Sequence, residues 1–220
     1  MKIGVIHATS VAVNPLMKYF EKLYPDIEIL NFVDEALLEY AGQDGNVSPK
    51  GLRRFGNIVS LAAEAEVDGI LIACSVYCQF ESIFKQFSEI PLVAIDGPMI
   101  HTVLKKGGRI GVLATTPAAL PVMKKQIISS GGKNVDIQGV VVKHAMEKLK
   151  NGDESAHDRL IIDEIDNLLT ECDSVVLCQL SMARVEDSLS TETTDKVFSS
   201  PRLGIEHLVK IITEKKVGIK

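Results

Sequence analysis

No stretch of about eighteen apolar residues occurs in the 220-residue chain, which excludes an ordinary membrane-spanning helix. The opening "MKIGVIHATS" runs from a strand pattern straight into polar residues. With no small-residue cleavage site behind an apolar core, no signal peptide is expected and a cytoplasmic address follows. Cysteine is scarce. Four residues without a repeated short spacing read as reduced thiols rather than a disulfide scaffold. Cys74-x3-Cys78 and Cys172-x5-Cys178 also lack the C-x2-C pairs and neighbouring histidines of structural zinc sites, so no metal is expected. Positive charge is in deficit. A net charge of −5 and a pI near 5.6 argue against an electrostatic nucleic-acid partner. Lys215, Lys216 and Lys220 read as a solvated helix end. Neither a G-x-x-x-x-G-K-[ST] loop nor a G-x-G-x-x-G turn is present, so no nucleotide cofactor is indicated.

What the chain does have is apolar residues, 46% of the total, enough to bury a proper core. Short β-branched runs ("KIGVIH", "IEILNF", "GILIAC", "PLVAID") alternate with segments of helical period ("NPLMKYFEKLY", "EALLEYA", "SPKGLRRFGNIVSLAAEAE", "FESIFKQF"). Such alternation predicts βαβ units, hence an α/β fold with mainly parallel sheets flanked by helices. Asp34 is placed to cap the "EALLEYA" helix. Residues 41–49, "AGQDGNVSP", are turn-rich enough to be a mobile loop near a site.

The pattern then restarts. "KIGVIHATSVAVNPLMK" at residues 2–18 aligns, with one gap, to "RIGVLATTPAALPVMK" at 109–124, matching Ile3 with Ile110, Gly4 with Gly111, Thr9 with Thr116 and Met17 with Met123. Asp68 leads to Cys74 as Asp173 leads to Cys178. "VAIDGPM" and "KVFSSPR" each carry a strand into a helix through a proline at its first position. Two similar α/β domains related by a pseudo-twofold axis are therefore expected: residues 1–97 with a closing helix from 201–220, and residues 98–200.

In parallel α/β sheets, ligands sit outside the carboxyl ends of the strands. Unpaired cysteine packs as a small hydrophobe, and that is the ordinary reading of any one of the four. The repeat changes the balance for Cys74 and Cys178, which fall on equivalent strand ends and would offer two thiols to one cleft. Cys78 and Cys172 have no such match and are read as core residues.

The "IACS" strand end at Cys74, the "GGRIGVLATTPA" start of the second half and the "VVLCQ" strand end at Cys178 together resemble the aspartate/glutamate racemase superfamily. That superfamily includes glutamate, aspartate and hydantoin racemases, maleate isomerases and arylmalonate decarboxylase. The resemblance covers nearly the whole chain. There are departures: Cys74-Ser75-Val76 stands where the amino-acid racemases carry Cys-Asn-Thr or Cys-Asn-Ser, and Leu177-Cys178-Gln179 where they carry Gly-Cys-Thr. "VDEALLE" at 33–39 and "SMAR" at 181–184 resemble other members more than the named enzymes. The resemblance implies a cofactor-independent isomerase, a racemase or epimerase of a small carboxylate-containing substrate, with a cis–trans isomerase or decarboxylase as the alternative within the same pocket. A two-lobed binding protein without chemistry is the alternative outside it. Whether the chain forms a homo-oligomer stays open.

Racemisation beside a carboxylate needs a base on one face of the carbon and an acid on the other, which one thiolate and one thiol supply. A free cysteine has a pKa of about 8.5, so one must be lowered, and a helix amino terminus directly after the strand end is expected to do this. "SVYCQFESIF" and "QLSMARVEDS" are placed to begin such helices. Donors for the enediolate are Ser75, Thr115, Thr116 and Gln179, with backbone amides near Val76 and Leu180. Thr116 serves equally as a cap for the helix after Pro117. Of Thr9, Ser10 and Asn14, one is expected to cap the helix at Pro15, while the resemblance adds Thr9 and Ser10 as substrate ligands. His7 reads as a hydrogen-bonded structural residue, and Arg184 as a solvated helix charge rather than a partner for a second substrate carboxylate.

Overall fold

In the computed structural model, residues 1–42, 44–86, 88–132 and 134–218 are described; Gln43 in the turn-rich segment and Lys220 lie outside them. These residues form two four-stranded parallel sheets with the same strand order. In the first, strands β1 (Lys2–His7), β2 (Glu28–Val33), β3 (Gly69–Ile72) and β4 (Leu92–Ala94) stand in the order β2-β1-β3-β4. Their connections are α1 (Val13–Leu23), α2 (Pro49–Glu64) and, between β3 and β4, the short helices α3 (Ser75–Cys78) and α4 (Glu81–Lys85). In the second, β5 (Ile110–Ala114), β6 (Ile137–Val141), β7 (Ser174–Leu177) and β8 (Val197–Phe198) repeat that order as β6-β5-β7-β8. They are linked by α6 (Ala119–Ser129), α7 (Ala145–Lys150), α8 (Glu154–Leu169) and α9 (Thr191–Thr194), while α5 (Asp96–Lys106) follows β4 and α10 (Ser200–Gly218) follows β8.

By contacts the chain divides into two compact units, residues 1–98 with 201–220, and residues 99–200. The central strands are mostly apolar, as strands of parallel sheets covered by helices are. β3 and β7 are buried at every position. In the second unit Leu113, Val175 and Leu177 meet Ile161, Ile165 and Leu168 of α8 in one core. In the first, α10 lies against β3 at Gly69, where a Cβ would come within 2.7 Å of Ile212 and 3.1 Å of Leu208, so that only glycine permits the approach. Lys215 donates to the Glu89 carbonyl at 2.7 Å and Lys216 pairs with Asp68 at 2.7 Å; the helix end read as solvated is therefore tethered.

The repeat reaches into the clips that start each sheet. Asp68 accepts from the Lys2 amide at 2.8 Å and Asp173 from the Arg109 amide at 2.7 Å, so the aspartate before each cysteine strand fastens its half's first strand. The proline rule holds only loosely: Pro98 is the third residue of α5 and Pro201 the second of α10. Asp34 caps its helix as expected, accepting from Ala36 at 3.2 Å, but residues Glu35–Tyr40 form a 3-10 helix. The turn-rich segment is tied down by an Ala41–Val47 bridge and by Gln79, which donates to the Gly45 carbonyl at 2.7 Å.

Candidate active site at the strand ends

Because the strands are parallel, the loops after β1, β2, β3 and β4 all emerge at one edge of the first sheet. Cys74 stands there at the cap position of α3, partly exposed, with the Val76 and Tyr77 amides near its sulfur and the Tyr77 amide donating to its carbonyl at 2.9 Å. Burial of the thiol is the main influence and pushes its pKa up to about 11; the nearby Asp96 charge adds to the rise and the two amides oppose it. At Cys74 the amides of the helix terminus therefore do not produce the lowering expected of one of the two thiols. α3 ends after four residues, too short to build a dipole that outweighs desolvation. Ser75 and Val76 follow on this turn, both partly exposed. Cys78 is buried, its thiol donating to the Ile72 carbonyl at 3.4 Å, and Cys172 is buried in the second unit's core.

In the loop after β1, Ser10 is exposed and already engaged, since its amide and hydroxyl donate to one oxygen of Glu35 at 3.0 and 2.6 Å. Those two bonds hold the Glu35 carboxyl below its usual range, the hydroxyl's being the larger influence. Thr9 precedes a 3-10 turn at Ser10–Ala12, its carbonyl accepting from the Ala12 amide at 3.4 Å but its side chain making no cap bond, and α1 is entered from Ala12 with no side-chain cap. The cap expected from Thr9, Ser10 or Asn14 is therefore absent, because the 3-10 turn leads the backbone into the helix.

His7 closes β1, fully buried, its Nε2 2.9 Å from Asn31 Oδ1. Asn31 donates through Nδ2 to Met17 sulfur, so Oδ1 accepts and the imidazole proton sits on Nε2. Nδ1 has no hydrogen-bond partner among the described residues. Burial lowers the His7 pKa, with the Asn31 bond opposing. The folded state therefore favours neutral His7: its contribution is fully present above the unfolded value of about 6.5 and is lost as pH falls toward the depressed folded value. Unfolding free energies from urea titration should fall more steeply below about pH 6.5 in the parental protein than in His7→Gln, by at most about 1.4 kcal/mol per pH unit. Parallel pH profiles would remove His7 from this role.

At the matching edge of the second sheet, Cys178 is buried directly after β7, its amide donating to the Leu113 carbonyl at 2.9 Å. Gln179 joins two loops: its Oε1 accepts from the Thr115 amide at 2.7 Å and its Nε2 donates to the Thr116 hydroxyl at 3.3 Å. Thr116 is thus a partner of Gln179 and not a helix cap, since α6 starts behind Ala118 without a side-chain bond. The Thr115 hydroxyl is buried and has no partner among the described residues. Leu180–Ser188 form a 3-10 helix in place of the expected α-helix; its three-residue repeat puts Met182 and Val185 on one buried face. Arg184 on that helix is an exposed charge, as expected, and pairs with Glu154 at 2.6 Å and Asp158 at 2.9 Å beside a cavity of about 530 Å³.

Gln179→Ala should free the Thr115 amide and cost about 1–2 kcal/mol in urea unfolding. An unchanged midpoint would show that water replaces the clamp without loss.

Among the described residues, no three or more histidine, cysteine or carboxylate side chains are grouped to hold a metal ion. The sequence reading brought Thr115, Thr116, Cys178 and Gln179 to one edge in the second unit, and Thr9, Ser10, Cys74, Ser75 and Val76 to one edge in the first. It missed Glu35, whose link to Ser10 spans 25 positions. It also missed Asp96, read only as the join between a strand and a helix.

The fold and these edges define a duplicated parallel α/β protein with a cysteine close behind the corresponding strand of each half, Cys178 being the first residue after β7 and Cys74 the second after β3. The sequence model of the Asp/Glu/hydantoin racemase family matches residues 41–208, and the chain belongs to this family. Over 135 residues it is 28% identical to the glutamate racemase of Microcystis aeruginosa, a match spanning 57% of this chain but only 44% of that relative's length. Among solved structures, allantoin racemase from Klebsiella pneumoniae is similar with a TM-score of 0.75 at 16% identity, covering 98% of this chain and 89% of that one. Glutamate racemase from Francisella tularensis, in complex with D-glutamate, gives 0.72 at 18% identity over 98% and 82%. Picrophilus torridus aspartate racemase gives 0.68 at 16% identity over 96% and 94%. At these identities the structural likeness concerns the fold. Among the described residues, no helix is long and apolar enough to cross a membrane.

Proposed function

We propose that the protein is a cofactor-independent racemase or epimerase of a small carboxylate-bearing substrate, an amino acid or a derivative of one, in which Cys74 and Cys178 exchange a proton on opposite faces of the same carbon. The observation that carries this function is the placement of a cysteine just behind β3 and just behind β7, the corresponding strands of the two halves, with Cys74 one residue further along than Cys178. One sulfur removes the proton as thiolate, the carbon's electron pair spreads into the adjacent carboxyl or carbonyl, and the other sulfur returns a proton as thiol. The Val76 amide, Ser75 and the hydroxyls of Thr115 and Thr116 supply donors for the intermediate. Gln179 acts by holding the Thr115–Thr116 loop as well as by its second amide proton. Thr9 and Ser10 face the substrate from the first half, with Ser10 presenting the Glu35 carboxylate it binds.

Incubation in deuterium oxide with a panel of amino acids, hydantoins and small dicarboxylates, read by NMR and chiral chromatography, tests this function. Exchange of the hydrogen beside the carboxyl group, with formation of the other enantiomer, is the expected result. Release of carbon dioxide with single-site deuteration would make it a decarboxylase. Saturable binding without any exchange would make it a binding protein.

A further inference from the structure

Asp96 is a buried carboxylate with no part in the chemistry above. It is 1% exposed and opens α5 directly behind β4. β3 and β4 pair in the register Ile72 with Ala94, and the Ile95 amide donates to the Ile72 carbonyl at 3.0 Å. Carried two residues further, that register sets Asp96 beside Cys74. The Asp96 amide hydrogen-bonds the sulfur of Cys78, one helical turn beyond Cys74, and the Asp96 charge acts on both sulfurs. In the second half the matching position is Ser199 when Pro98 is aligned with Pro201, and Pro201 itself by the sheet register; both are neutral. The duplicated site is therefore unequal in charge at equivalent points.

We infer that Asp96 is a positioning residue whose buried negative charge keeps Cys74 protonated at rest, so that Cys74 begins the cycle as the acid and the opposite face must supply the base. A second negative charge at Cys74 would stand in a poorly solvated place beside an existing one, and like charges held together in such a place disfavour ionisation. The other ionisable groups around Cys74 do not supply a compensating cation. Tyr77 and Cys78 of α3 are neutral acids, and Glu81 of α4 acts on Cys78 with the same sign as Asp96. Asp34, Tyr40 and Arg54 act on Tyr77, and Arg54 is bound to Asp34 in a two-bond ion pair. The consequence in turnover, which rests on the two-cysteine function, is directional: the free enzyme is ready for the enantiomer whose hydrogen points away from Cys74.

The test needs no substrate, so it stands or falls separately from the racemase assignment. Alkylation of Cys74 by iodoacetamide, in which the thiolate forms the S–C bond and iodide leaves, is followed against pH by peptide mass spectrometry. Parental protein, Asp96→Asn and Asp96→Glu are compared, with circular dichroism confirming the fold. Asp96→Asn should move the Cys74 profile to lower pH and raise its alkylation rate at pH 8 by about threefold or more, half a unit of pKa being a factor of about three in thiolate. Asp96→Glu, which keeps the charge, should stay close to the parent. An Asn variant with the parental profile overturns the inference, and so does a Glu variant that shifts as far as Asn. If Asn misfolds, Asp96→Ser, which copies Ser199, is read in the same way. In the parental protein itself a Cys74 midpoint at or below the ordinary cysteine value of about 8.5 overturns it without any variant.

Discussion

Cys178→Ala is expected to abolish interconversion of enantiomers while leaving Cys74 able to exchange the hydrogen of one of them with solvent. Cys74→Ala should leave exchange for the other enantiomer alone. General acid–base groups contribute about a hundredfold to ten-thousandfold in rate, so full turnover should fall by that much in either variant. The exchange left to Cys74 has a further signature. With its thiol pushed up to about 11, the thiolate fraction grows with pH, and exchange in Cys178→Ala should rise about tenfold per unit between pH 7 and 9. A decarboxylase requires one proton donor, so one of the two variants would stay near parental activity. Near-parental racemisation by both variants would leave Cys74 and Cys178 as packing residues and defeat the paired mechanism.

Tyr77→Ala should cost about 3–5 kcal/mol, the usual range for emptying a buried aromatic site. Tyr77 is fully buried, stacks on Phe55 with ring centroids 4.6 Å apart, and donates its hydroxyl to the Leu37 carbonyl at 2.9 Å. Burial pushes its pKa up to about 12, so the phenol remains a donor at any ordinary pH. Its amide donates to the Cys74 carbonyl at 2.9 Å, which ties the backbone that carries the thiol to the packing of Tyr77. Tyr77→Phe keeps the stacking but leaves the buried Leu37 carbonyl without its donor, and should cost about 1–2 kcal/mol. Urea unfolding measures both. A Phe variant as stable as the parent would show that the Leu37 bond contributes nothing net, and an Ala variant within 1 kcal/mol would show that the site collapses around the gap.

Much of this architecture was legible in the chain because fully buried parallel strands leave an unmistakable trace. "GILIAC" and "SVVLC" are continuous apolar runs, and each sets a thiol at the end where parallel sheets bind ligands. The repeated "IGV" opening pointed to two halves of the same order. What could not be read depends on groups distant in sequence. The clamp from Gln179 to Thr115 spans 64 positions and the Ser10–Glu35 contact spans 25, and no periodicity reports either. Helix type failed at "EALLEYA" and "QLSMARVEDS" because over six to nine residues the spacing of apolar side chains fits a three-residue repeat as well as a longer one. The direction of the Cys74 shift failed for a related reason. A strand-to-helix junction looks alike in sequence whether the helix runs for four residues or fourteen, yet only the longer one builds a field to rival burial.

The return of α10 to the first unit has a consequence for how the protein is made. Residues 99–200 are contiguous, but the first unit needs residues 201–218 to cover β3 at Gly69. On a ribosome the half begun first is therefore finished last. About 100 residues separate its two pieces, a delay on the order of 5–20 s at ordinary elongation rates. Through that interval β3 of the nascent first half lacks its cover of Leu208 and Ile212 at Gly69, and the later half is the one whose residues are all present as soon as it emerges.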